Sequence, residues 1–144
     1  MLLRRTLNHL VFAHREIPCL NKLTKRDALR YSSQIYDPLG LLSPVTVRAK
    51  LLMQQLWREK FDWDVPLPIN YQEAWSRIAK DLNTVTTIEF PRHYGGSSPS
   101  SSLHVFVDAS ISSYGAAAYI VNGTESTIVM AMNIVAPLQK ETHS

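Results

Sequence analysis

Leu103-His104-Val105-Phe106-Val107-Asp108-Ala109-Ser110, followed by Tyr114-Gly115-Ala116-Ala117-Ala118-Tyr119-Ile120-Val121, places one carboxylate at the end of an apolar strand beside a second strand. A single acid at that position serves either as a metal ligand or as the cap of a turn, here toward Ser112 or Ser113. Residues 127–132 read as a third strand. The Asn122-Gly123 dipeptide before it suits a tight type I′ hairpin turn. Asn122-Gly123-Thr124 also fits the N-glycosylation pattern, but the turn accounts for the same residues. Two-residue alternation puts His104 on the same side as Asp108; a partly buried structural histidine is the commoner outcome, so His104 stays out of the candidate site.

Working back from this sheet, Gly95-Gly96-Ser97-Ser98-Pro99-Ser100-Ser101-Ser102 has too few apolar side chains to pack and reads as a linker and domain boundary. Before it, Val85, Thr87 and Ile88 make residues 84–91 a short strand that Pro91 ends or confines to an edge. Three helices precede any clear strand. The first opens at Thr24-Lys25-Arg26-Asp27, with a hydroxyl cap and an acid three residues on, and runs to about Tyr36. Asp37-Pro38-Leu39-Gly40 turns the chain sharply, because the residue before proline is pushed out of helical geometry and Gly40 can take a positive φ. Ser43-Pro44 opens the second helix, serine as cap and proline in the first turn, and it reaches about Lys60. Its inward stripe is Val45, Ala49, Leu52 and Leu56, widened by Met53 and Trp57 as core residues, with Arg48, Gln55, Arg58 and Glu59 outside. Phe61 to Pro68 is extended, with Trp63 as its anchor. The third helix runs from Asn70 as cap to Leu82 and turns Tyr71, Trp75, Ile78, Ala79 and Leu82 to one side.

A chain of 144 residues, 45% hydrophobic, holds one ordinary domain or parts of two. Cys19 is the sole cysteine, which excludes an intrachain disulfide and zinc sites built on paired thiols. No run approaches the roughly 18 apolar residues a membrane span needs, and Met1 to Ile17 lacks a secretory signal's continuous apolar stretch. Charge is uneven: residues 1–60 carry eleven Lys/Arg against four Asp/Glu, and residues 61–144 four against eight. The basic half is the better candidate for meeting phosphate, although a solvated helix face explains Arg48, Lys50, Arg58 and Lys60 equally well. No P-loop, dinucleotide fingerprint or zinc-protease helix occurs.

Several of these blocks carry a resemblance. Thr24-Lys25-Arg26, the run Ile35-Tyr36-Asp37-Pro38-Leu39-Gly40-Leu41-Leu42-Ser43-Pro44 with Val45 to Lys50, Leu56-Trp57, Trp63-Asp64 with Pro66-Leu67-Pro68, Trp75, and Ile88 to Arg92 follow one another in the order found in the Pol polyprotein of BEL/Pao long-terminal-repeat retrotransposons. The resemblance runs over residues 24–121; residues 1–23 remain unassigned. It implies an α+β chain: a helical segment over 24–92 similar to the thumb and connection of a reverse transcriptase, a Gly/Ser linker over 93–102, and over 103–144 the truncated opening of a ribonuclease H-like domain with an antiparallel three-stranded sheet. Asp108, in Asp-Ala-Ser, matches the family's first metal-binding and catalytic aspartate.

In that family the metal is usually Mg²⁺, held by four acidic or equivalent ligands. Residues 134–140 resemble the segment just before the helix that brings the next catalytic glutamate, so the chain is expected to stop short of a complete site; Glu141 is not at that position. A polymerase's Asp-Asp dipeptide is missing, and Asp108-Ala109-Ser110 lacks the glycine of an aspartic peptidase motif, which disfavours peptidase activity. The expected function is therefore that of a catalytically incomplete Pol fragment that binds RNA–DNA hybrid or other nucleic acid through Lys25, Arg26, Arg48, Lys50 and Arg58, with the rest of the polyprotein as partner and no membrane. The alternative is a slice of an active polymerase/ribonuclease H in which Asp108 is one Mg²⁺ ligand. Without the helices that should cover it, the sheet is expected to leave an apolar face of Val105, Val107, Ala117 and Tyr119 and an unpaired edge.

Overall fold

The computed structural model describes residues 2–4, 9–13, 15–92 and 100–138. The chain is α+β. Two short strands, β1 (Leu2–Arg4) and β2 (His9–Val11), precede helices α1 (Lys25–Ser33), α2 (Ser43–Arg58) and α3 (Ile69–Val85). Strands β3 (Phe90–Pro91), β4 (Ser102–Ala109), β5 (Ser113–Asn122) and β6 (Glu125–Val135) follow. Two antiparallel three-stranded sheets result, ordered β1-β2-β3 and β4-β5-β6. Residues 93–99 of the Gly/Ser linker, and Glu141, lie outside the described residues.

Helix α1 starts on the expected capping box: the Asp27 amide donates to the Thr24 hydroxyl at 3.2 Å, and the Thr24 amide donates to the Asp27 carboxylate at 3.1 Å. It ends at Ser33, earlier than the expected Tyr36. Helix α2 is capped differently from the expectation. Ser43 is already helical, and its hydroxyl donates to the Gly40 carbonyl at 2.5 Å. No side chain caps the helix itself; Asp37 instead holds the turn before it, its two oxygens accepting from the Leu41 amide at 2.9 Å and the Leu42 amide at 2.8 Å. A carboxylate four and five residues upstream reaches them because Gly40, at φ +66°, folds the chain back on itself.

Helix α3 buries the five residues assigned to its inner side, Tyr71, Trp75, Ile78, Ala79 and Leu82. Its cap is Pro68, not Asn70, and the expected strand over 84–91 shrinks to Phe90–Pro91 because the helix continues to Val85. The β-branched residues there are accommodated by hydroxyls that bond back to the previous turn, Thr84 to the Lys80 carbonyl at 3.0 Å and Thr86 to that of Leu82 at 2.7 Å. The three helices close a core around Leu23, Leu56 and Leu82, the largest side chains that are fully buried. Each contributes roughly 1.5–3 kcal/mol by leaving water. Two side-chain amides of α3 pin the irregular segment before α1: Asn83 exchanges hydrogen bonds with both backbone groups of Ile17, and Gln72 accepts from the Leu23 amide at 2.9 Å.

The larger sheet hangs from the helices by one edge. The Ala131 amide of β6 donates to the Leu39 carbonyl at 2.8 Å, and Gln54 of α2 donates to the Ala136 carbonyl at 2.6 Å. Lys50 reaches the Asn133 side chain at 2.7 Å. A Cβ on Gly40 would stand 1.8 Å from the Ala131 carbonyl oxygen, so the corner can touch β6 only as glycine. A second, smaller core of Phe12, Leu41 and Leu42 takes in Ile128 of β6 and Phe90 of β3, joining both sheets to the corner. At the other edge all eight residues of β4 are exposed. The hairpin turn also differs in detail: Asn122 pairs with Glu125, so the loop residues are Gly123 and Thr124, and only Gly123 has positive φ, as in a type II′ turn.

Candidate metal and nucleic-acid sites

Asp108 lies one residue before the end of β4, opposite Gly115 of β5. Alternation and register put it in line with Phe106 and His104, beside Ala117 and Tyr119; Phe106 and Tyr119 meet edge to face with ring centroids 5.9 Å apart. The carboxylate is exposed and accepts from the adjacent Ala109 amide at 2.9 Å. Ser110, not Asp108, closes the turn that follows: its hydroxyl accepts from the Ser112 amide at 3.2 Å and the Ser113 amide at 3.1 Å, and its own amide donates to the Ser113 carbonyl. The capping role that competed for Asp108 thus belongs to its neighbour. His104 stands exposed, its Nε2 3.0 Å from the Ser102 hydroxyl.

A cleft of about 420 Å³ separates this side of the sheet from the start of α2, with Asp108, Phe106 and Tyr119 on one wall and Leu41, Pro44 and Val47 on the other. Among the described residues no group of three or more His, Cys, Asp or Glu side chains gathers there or elsewhere. A Mg²⁺ ion needs near-octahedral oxygen coordination, with more than one protein carboxylate in a two-metal site. The described residues do not supply that set.

The five basic residues expected to meet nucleic acid do not converge on one surface. Lys25 is withdrawn from it altogether: it is 3% exposed, with Nζ 3.9 Å from the Trp57 ring centroid, 4.6 Å from that of Trp63, and 3.3 Å from the Phe61 carbonyl that accepts its hydrogen bond. This is a structural cation, held by two indoles, and its removal from the phosphate-binding set corrects the sequence-based expectation. Arg26 forms a two-pronged pair with Asp64 at 2.7 and 3.1 Å. The hydrogen bond and charge of Asp64 raise the Arg26 pKa, and the same hydrogen bond lowers that of Asp64. Arg48 pairs with Asp81 of α3, Lys50 turns toward β6, and Arg58 is exposed in the last turn of α2. Trp57, expected in the core, is 53% exposed and meets Trp63 edge to face at 5.2 Å. The helical stripe alone could not place it, because it lies at the margin of the inward side and its environment depends on Lys25 and Trp63, which other segments supply.

The antiparallel β-meander β4-β5-β6, with an exposed aspartate one residue before the end of its first strand, is consistent with part of a ribonuclease H-like fold. A family model described as Pao retrotransposon-like RNaseH-like domain matches residues 24–144, and the chain belongs to that family. No curated protein and no solved structure matches it.

Proposed function

We propose that this chain is a segment of a retrotransposon Pol polyprotein that binds RNA–DNA hybrid or a related nucleic acid and is catalytically incomplete by itself. Residues 24–92 would form the thumb/connection-like part of a reverse transcriptase, 93–102 a linker, and 103–144 the start of the ribonuclease H-like domain. The observation that carries this reading is the membership of residues 24–144 in a Pao retrotransposon-like RNaseH-like family, taken with a single carboxylate at the matching strand end. Arg26, Arg48, Lys50 and Arg58 are the phosphate contacts in this proposal. Arg26 and Arg48 each already hold a carboxylate that a phosphate must displace, so binding by the chain alone is weak.

The test is titration of labelled RNA–DNA hybrid at increasing salt. Affinity falls linearly on logarithmic axes, and replacing one phosphate-contacting arginine, as in Arg48→Ala, lowers the slope by about one. Affinity that does not change with salt refutes the proposal.

One observation favours a second reading, in which the parent polyprotein is an active polymerase/ribonuclease H and Asp108 is one ligand of its Mg²⁺. The Asp108 carboxylate is exposed beside a cleft and is not used to close the turn. In this reading a longer polypeptide that supplies the other carboxylates cleaves hybrid, and Asp108→Asn abolishes cleavage without lowering the Tm. Cleavage that survives Asp108→Asn removes Asp108 from the chemistry.

A further inference from the structure

A groove of about 640 Å³ runs between α1, α2 and the end of β6. Its floor is one ridge of α2, in which Ser43, Thr46, Lys50, Met53 and Trp57 recur at steps of three and four residues. The ridge is roughly 21 Å long. Two features along it are unusual. The first is the half-exposed Trp57, which is not mobile apolar surface: Lys25 sits over its ring and Trp63 meets it edge to face, so the indole is held in a fixed orientation where it lines the groove. The second is Lys50, two helical turns back. Its ammonium bonds the Asn133 side-chain oxygen at 2.7 Å and backbone carbonyl at 3.4 Å, with an amide rather than a carboxylate as its partner. Asp37 is the acid in the groove lining, and both its oxygens are engaged by the Leu41 and Leu42 amides. The groove therefore presents an aromatic plate braced by Lys25 and Trp63, and a lysine whose hydrogen-bond partner is a neutral amide, while the Asp37 carboxylate in the same lining is turned to two backbone amides.

We propose that this groove holds a single-stranded stretch of nucleic acid, one base stacking on Trp57 and the backbone phosphate of the same short strand meeting Lys50. The pairing of an exposed indole with a lysine bound only to an amide selects this occupant: a phosphate can meet Lys50 without displacing a carboxylate, and every base offers a π-face to an indole irrespective of sequence. The Lys25 cation behind the ring lies close enough to add attraction for an electron-rich base and the phosphate attached to it. Sequence analysis could not single out Trp57, because its helical spacing reads as core. The inference rests on the nucleic-acid reading given above and adds to it a location and a strandedness.

The experiment measures anisotropy of a fluorescein-labelled eight-residue oligothymidylate, and of labelled RNA–DNA hybrid, with the full 144-residue chain. Trp57→Ala weakens oligothymidylate binding about tenfold or more, the loss typical of one stacked base. Trp57→Leu, which keeps apolar cover over the Lys25 stem and so preserves the fold, weakens it to the same extent. Lys50→Ala lowers the salt slope for the oligonucleotide by about 0.7. If the parent chain binds hybrid but not oligothymidylate, or if Trp57→Leu binds the oligonucleotide as tightly as the parent, this inference is overturned and the nucleic-acid reading stands. If neither probe binds, both are overturned.

Discussion

Replacing Gly40 by alanine tests how the sheet is attached to the helices. Gly40 has φ +66°, and Gly123 in the β5–β6 turn has φ +65°, so the backbone penalty for a side chain, about 1–2 kcal/mol, is nearly the same at both. Their surroundings differ completely: a Cβ on Gly123 has nothing within 4 Å, whereas one on Gly40 falls 1.8 Å from the Ala131 carbonyl oxygen and 2.6 Å from its carbon. Both clashing atoms are backbone, so neither can rotate aside, and the corner must separate from β6. Separation breaks the Ala131-to-Leu39 hydrogen bond, a further loss of about 1 kcal/mol, and loosens Lys50 and Gln54 from Asn133 and Ala136. Gly40→Ala therefore costs roughly 2–4 kcal/mol, a fall in Tm of roughly 10 °C for a chain of this size, and Gly123→Ala about half of that or less. Thermal unfolding followed by circular dichroism gives the two Tm values, and hydrogen exchange at the Ala131 amide reports whether the edge has opened. Equal Tm losses in the two variants, or unchanged protection at Ala131, would refute the argument that close approach at Gly40 holds the sheet in place.

Three other perturbations separate structural from functional roles. Lys25→Ala removes a buried cation from two indoles and from the Phe61 carbonyl; chemical denaturation is expected to show a loss of about 2 kcal/mol while the salt slope of hybrid binding stays the same, and a lowered slope would return Lys25 to the phosphate-binding set. Asp37→Ala leaves the Leu41 and Leu42 amides without their acceptor and costs about 1–2 kcal/mol by the same measurement, whereas Ser43→Ala, at the position first read as the cap, costs less. Burial first, and then the Glu59 carboxylate, push the Tyr71 hydroxyl from 10.0 up to about 12. The folded state thus holds this proton more tightly than the unfolded chain, so stability is intact below pH 10 and falls as the pH rises from there through 12. Tyr71→Phe removes that component, and an alkaline unfolding curve identical in parent and variant would show that Tyr71 does not titrate with unfolding.

Much of the architecture was legible along the chain because local physics dominates there. The Thr24–Asp27 box, the inner residues of α3 and the three strands of the larger sheet each depend on neighbours within a few positions, and each is present in the structure. The errors fall where an interaction that apolar periodicity and propensity do not encode decided the outcome. Asp37 took the Leu41 and Leu42 amides across the tight corner, α3 ran on to Val85 with the Thr84 hydroxyl bonded to the Lys80 carbonyl, and Trp57 left the core to cover Lys25. The site divides in the same way. A strand ending at Asp108 could be read from alternation alone, but that Ser110 and not Asp108 closes the following turn depends on the path of the loop.

By itself the sequence determined the α+β class, the three helices and the three strands of the larger sheet, the family-like blocks and a lone carboxylate near a strand end, since periodicity, capping and turn chemistry act over one or two turns of chain. Tertiary structure alone decided that the Asp37–Gly40 corner meets β6, that Lys25 is buried against Trp57 and Trp63, and that Lys50 bonds Asn133 of β6. These depend on which surfaces meet across 30 to 90 residues of intervening chain, and hydrogen bonds such as Lys50 to Asn133, 83 positions apart, leave no trace in local pattern.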